Sequence, residues 1–241
     1  MELEKFLAGA EAERVRRTLG ILAHCGFSQL VLTGGFAVEL HCLRRGFAPQ
    51  LRPLNDIDFL AGSFAEIPRG LSAKMVFRHV HPNDPPNRTL LQCVDAETAI
   101  RVDAFRASGD TMARAIPSEI DGFSLRLISI EDLTARIARL CMDLADNTPI
   151  PAKHAQDFLR LLPLVAPDNV ECVWEEHRKA KHPKSFRTAA ALLTDLIATR
   201  TDLQIVLQYS RDADRSCQRC VATPDFPLAR AERMLSLLGY C

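Results

Sequence analysis

Short apolar runs alternate with helically spaced ones over the first half of the chain. Val15, Leu19 and Leu22 recur at helical spacing and predict a helix over residues 12–25. The run "QLVLT" (29–33) is a continuously apolar strand, stopped by Gly34 and Gly35, after which "FAVELHCL" resumes a helical pattern. "NDIDFL" follows as a second strand, entered through Arg52 and Pro53. "KMVFRHV", "TLLQCV", "AIRVDAF" and "FSLRLI" supply further strands, with "DAET" as a hairpin turn between the middle two.

From Ile130 the period changes. "SIEDLTARIARLCMDLA" has Ser129 as an N-cap and the spacing of an amphipathic helix, broken at Pro149 and Pro151 before "AKHAQDFLRLL" begins another. Helical patterns continue over 168–181, 184–199 and 228–238. The pattern predicts an α+β protein, with a mixed-sheet core over residues 1–129 and a helical C-terminal domain over 130–241.

Composition narrows the function classes. Lys plus Arg number 30 and Asp plus Glu number 30, so no basic field advertises nucleic acid. No run reaches the apolar length of a membrane span, and "MELEKFLAGAEAERVRR" is charged and helical in pattern, unlike a signal peptide. The expected location is the cytoplasm, with the 8 cysteines as reduced thiols.

Asp56 and Asp58 stand out because they interrupt an apolar strand. Successive strand residues point to opposite faces, so both acids share one face while Ile57 and Phe59 share the other. Their repulsion raises a pKa unless a cation sits between them, and a divalent metal fits that need. A second Asp-x-Asp, Asp212 and Asp214, lies in the polar stretch "RDADRS" and reads as a surface loop. Asp103 has the parity opposite to Val102 and Ala104. A strand placing it beside Asp56 and Asp58 would complete a three-carboxylate site for two magnesium ions.

This order of motifs resembles the nucleotidyltransferase superfamily that includes DNA polymerase beta: a glycine-rich strand-to-helix turn, an Asp-x-Asp in the next strand, then a third acid. "LTGGFAVELH", "RPLNDIDFL" and "IRVDAF" match in order, and the chain looks most like AbiEii-type members, some of them toxins of toxin-antitoxin pairs. The resemblance covers about residues 29–162. It implies transfer of a nucleoside monophosphate from an NTP to a hydroxyl, with pyrophosphate released. Asp56, Asp58 and Asp103 would be catalytic metal ligands; Gly34, Gly35 and Arg52 would meet the nucleotide. Lys153 and Asp157 match a later Lys-x-x-x-Asp element, with Lys153 on the triphosphate and Asp157 orienting it. A glycine at position 35 departs from members that carry a phosphate-binding serine there, and Leu54 and Asn55 replace a more polar approach to the acids. The implied acceptor is RNA, the tRNA end foremost, with a protein hydroxyl or a small molecule such as an aminoglycoside as alternatives. A toxin role would imply an antitoxin partner. A different class of reading is a non-catalytic nucleotide-binding or interaction protein on the same fold.

Other features have blander explanations. Cys217 and Cys220 have metal-ligand spacing but lack a second pair, so zinc there would need further ligands. His79 and His81 would share a strand face, most simply as an edge pair. "HRKAKHPK" (177–184) is the densest basic stretch, and it reads as a solvated helix end before an RNA contact. Trp174 falls in register with Val170 and Val173, as a packing residue does.

Overall fold

The computed structural model describes residues 1–50, 54–78, 90–199 and 205–206. Helix α1 (Gly9–His24) buries Ala12, Val15, Leu19 and Leu22, the stripe its spacing predicts. Strand β1 (Val31–Thr33), buried throughout, passes without a loop into helix α2 (Gly34–Arg44). Strands β2 (Asp56–Ala61), β3 (Val76–Arg78), β4 (Leu90–Val94), β5 (Arg101–Arg106), β6 (Ile116–Ile120) and β7 (Phe123–Leu127) join β1 in one seven-stranded sheet. Its order is β3-β4-β5-β2-β1-β7-β6.

The sheet is mixed. β2 runs antiparallel to β1 and parallel to β5, and β1 runs parallel to β7. β4 and β5 form the hairpin expected around "DAET". The three central strands are apolar on the face away from the acids, where Phe59 meets Phe27 edge-on at 5.2 Å between ring centres. β6 escapes sequence reasoning because "IPSEI" contains a proline and no alternation. It is tolerated at the sheet edge, where Pro117 has no donor to lose from a central ladder. The turn after it is Asp121-Gly122, with φ of 48° and 79°, the left-handed conformations that an Asp-Gly hairpin uses.

The helical part starts at α3 (Ile130–Cys141), with Ser129 Oγ accepting from the Asp132 amide at 3.0 Å as the cap expects. A short strand β8 (Ile150–Pro151) leads into α4 (Ala152–Leu161), followed by α5 (Pro167–His177), α6 (Phe186–Thr199) and β9 (Ile205–Val206), which pairs with β8. α3 ends at Cys141 in a tighter turn, Met142–Asp146, and α5 stops at His177 because Arg178 is extended (φ −65°, ψ 152°). Both helices are thus shorter than their patterns predict. Trp174 is fully buried and donates from Nε1 to the Pro183 carbonyl at 2.9 Å, in agreement with its packing role. The helical pattern over 228–238, Asp212, Asp214, Cys217, Cys220, His79 and His81 lie outside the described residues.

One polar network ties the helices to the loop that follows β5. Asp132, fully buried on α3, accepts from Arg114 Nη2 and His177 Nε2, both at 2.8 Å, and from Ser129 Oγ at 2.6 Å. Burial alone would raise its pKa, but these donors, Arg114 first, hold the carboxyl well below the usual range. Arg114 reaches on to Glu176 of α5. Replacing Asp132 by alanine strands Arg114 and His177 and removes a cap partner. The expected loss is about 3 kcal/mol, read as a lowered midpoint in urea unfolding, whereas a loss under about 1 kcal/mol would show the network to be dispensable.

Candidate active site

The parallel pairing of β2 and β5 sets Asp56 beside Arg101, Asp58 beside Asp103 and Leu60 beside Phe105. Cross-strand partners share a face, so the three acids and Arg101 project together while Ile57, Phe59, Val102 and Ala104 are buried on the other side. This is the adjacency that residue parity anticipates. The three carboxylates offer oxygens all within 4.8 Å of one another; Asp103 is buried, and Asp56 and Asp58 are partly exposed.

Like charges this close need compensation, and two neighbours supply part of it. Arg101 Nε lies 3.0 Å from each Asp103 oxygen, and its Nη2 pairs with Asp56. Gln92, buried on β4, donates to Asp103 Oδ1 at 2.7 Å. Sequence reasoning missed both. Arg101 was recoverable, since it lies two residues before Asp103 on the same face, whereas Gln92 is recognisable only once β4 is paired. Asp58 receives no such hydrogen bond among the described residues. Burial first, then the charges of Asp56 and Asp103, push its carboxyl up to about 7, with Lys153 and Arg101 opposing.

The glycine turn presses against this acid. Thr33 is the direct partner of Asp58 across the β1–β2 pair, and Gly34 follows with φ +70°. A Cβ at Gly34 would stand 2.8 Å from Asp58 Cβ, so only glycine fits there. α2 starts at this point with no side-chain cap and no acidic residue in its first turn, which contains Gly35. Its first amides are therefore free to meet an anion beside the carboxylates.

Lys153 is exposed on the first turn of α4 and near enough to Asp58 to stabilise its charge. Asp157, one turn later, is buried, and its charge is felt at Cys42 of α2. Arg52 lies outside the described residues. In the basic stretch 177–184, His177 and His182 are buried, while Arg178, Lys179 and Lys181 pair with Glu175, Asp143 and Asp146. It behaves as a solvated, locally neutralised helix end.

The donor set fits magnesium. Three carboxylates converge on one point, one without a compensating donor, and all are hard oxygen ligands.

No family model matches the sequence, and no curated protein does. Solved structures similar to this chain include that of the antibiotic-resistance factor ANT(2'')-Ia, with 16% identity and a TM-score of 0.46 over 76% of this chain and 94% of that chain. Others are an antigenic nucleotidyltransferase-like protein from Paracoccidioides brasiliensis (14% identity, TM-score 0.44, 79% of this chain and 90% of that one) and JHP933 from Helicobacter pylori (13%, 0.39, 80% and 92%).

The raised Asp58 pKa has a signed consequence. The folded protein binds that proton more tightly than the unfolded chain, so metal-free stability falls as pH rises from the ordinary value of 3.8 to about 7. Magnesium competes with the proton and relieves the same repulsion. The melting-temperature increase on adding magnesium should therefore be larger near pH ~8 than near pH ~5, and Asp58→Asn should abolish it while raising the metal-free melting temperature at the higher pH. Equal shifts at both pH values would contradict the assignment.

Proposed function

We propose that the protein is a magnesium-dependent nucleotidyltransferase that moves a nucleoside monophosphate from an NTP to a hydroxyl and releases pyrophosphate. The observation that carries this reading is the pairing of Asp58 with Asp103 in register, with Asp56 alongside and the Gly34 turn against Asp58. Asp56, Asp58 and Asp103 would hold two magnesium ions. Bound there, the ions would neutralise phosphate charge and favour ionisation of the attacking hydroxyl.

The chain's own groups divide the remaining work. Free amides at Gly34 and Gly35 and the ammonium of Lys153 take the triphosphate on the β1 side of the acids. Asp157 would orient Lys153, and the family resemblance gives Arg52 a nucleotide-binding role. The acceptor oxygen forms a bond to the α-phosphorus. The bond from that phosphorus to the bridging oxygen breaks, and pyrophosphate leaves with the electron pair. The hydroxyl proton passes to Asp103, whose Oδ2 stays clear of Gln92 while Arg101 and Gln92 hold the carboxylate in place. Catalysis is then mainly positioning and charge stabilisation.

The acceptor is tRNA or another RNA, a protein hydroxyl or a small molecule; a toxin role with an antitoxin partner rests on the AbiEii resemblance. Purified protein incubated with magnesium and each α-labelled NTP should label one acceptor among total tRNA, total protein and an aminoglycoside panel. Asp56→Ala or Asp58→Ala should lower that rate by about a thousandfold or more. An unchanged rate in either variant would contradict the role given to the acids, whereas NTP binding with no transfer to any acceptor would favour the non-catalytic reading.

A further inference from the structure

The cations around the acids come from two neighbouring helices, α4 and α3. Lys153 belongs to α4, which packs on both α2 and α3, and its charge reaches Asp58, the acid that faces the glycine turn. The others are on α3. Asp132 on its first turn holds the loop that follows β5, and Arg136, one turn further, places its guanidinium 5.0 Å from the centre of the Phe105 ring. The helix thus runs back along β5 toward the acids, and Arg139 comes next.

Neither arginine makes an ion pair or hydrogen bond with a described residue, and Arg139 Nε is buried with no partner. Phe105 shares the sheet face of Asp103 and lies two residues along the strand, about 7 Å away. Burial, with Arg139 adding to it, lowers the Arg136 pKa to about 10, while the Asp58 charge opposes that. A partly buried guanidinium lying over a ring without a carboxylate is costly unless an anion comes to it.

We propose that Arg136 and Arg139 form an anion subsite on the acceptor side of the active site, so that the accepting hydroxyl belongs to a molecule bearing a phosphate close by. The inference rests on the nucleotidyltransferase reading, which puts the donor triphosphate on the β1 side and leaves the β5 side to the acceptor. Guanidinium groups suit phosphate oxygens through paired N–H donors. Polycationic acceptors such as aminoglycosides are repelled from the same place. A nucleic-acid 3′ end and a small phosphorylated hydroxyl compound share the required chemistry.

The test uses the full chain with three probes: a short oligoribonucleotide with a free 3′ hydroxyl, a sugar phosphate and an aminoglycoside. Acceptor binding is measured without NTP, and label transfer with it. Wild type should bind and label a phosphate-bearing probe and leave the aminoglycoside unlabelled; oligonucleotide and sugar phosphate separate the two sources. Arg136→Gln and Arg139→Gln should each weaken acceptor binding and raise its KM by about tenfold, with NTP affinity unchanged. Arg136→Lys, which keeps charge and stem but not the planar fork, should retain part of the affinity and guards against a folding defect in the glutamine variant. Preferential labelling of the aminoglycoside, or a loss of NTP affinity with acceptor KM unchanged, would overturn the subsite while leaving nucleotidyl transfer standing. A wild type that neither binds NTP nor labels any probe would overturn the nucleotidyltransferase reading itself, and the subsite with it.

Discussion

Repulsion among three carboxylates on one sheet face is the constraint around which the central strands are arranged. Asp56, Asp58 and Asp103 come within 4.8 Å of one another because β2 and β5 run parallel with Asp58 opposite Asp103. A slip of one residue would send Asp103 into the apolar core, so Val102 and Ala104 fix the register as firmly as the site requires it. Arg101 and Gln92 compensate Asp103 and Asp56 and leave Asp58 as the acid whose charge is least satisfied. A rigid sheet holds such a conflict better than a loop, which would relax by moving its acids apart.

The same constraint explains the glycine turn. Thr33 sits directly across from Asp58, so the chain must leave the strand beside a carboxylate, and a Cβ at Gly34 would strike it. The positive φ there starts α2 at once and puts its free amides next to the acids. Anion-attracting backbone and cation-attracting carboxylates end up side by side, the pairing that a metal-bound phosphate needs.

Much of this was legible in the sequence because it depends on local parity. Asp56 and Asp58 had to share a face, Asp103 had to oppose Val102, and Ser129 followed by Asp132 marked the start of α3. What escaped depends on pairing over long separations or on edges. Gln92 becomes a partner of Asp103 only through the β4–β5 hairpin, and the arginines of α3 acquire meaning only when that helix lies over Phe105. β6 was hidden by Pro117, which an edge strand accepts and a central one does not. Helix ends were overestimated at α3 and α5, where the periodic pattern runs on after the backbone has turned.

The central claim is that the three acids form a metal site beside the nucleotide. A crystal structure of the protein soaked with manganese and a non-hydrolysable NTP analogue tests it directly, through anomalous scattering from the metal. The account predicts manganese bound by Asp56, Asp58 and Asp103, with Arg101 withdrawn from Asp56 and the triphosphate at the first turn of α2. Manganese bound elsewhere, or none at the acids while the analogue is bound, would contradict it.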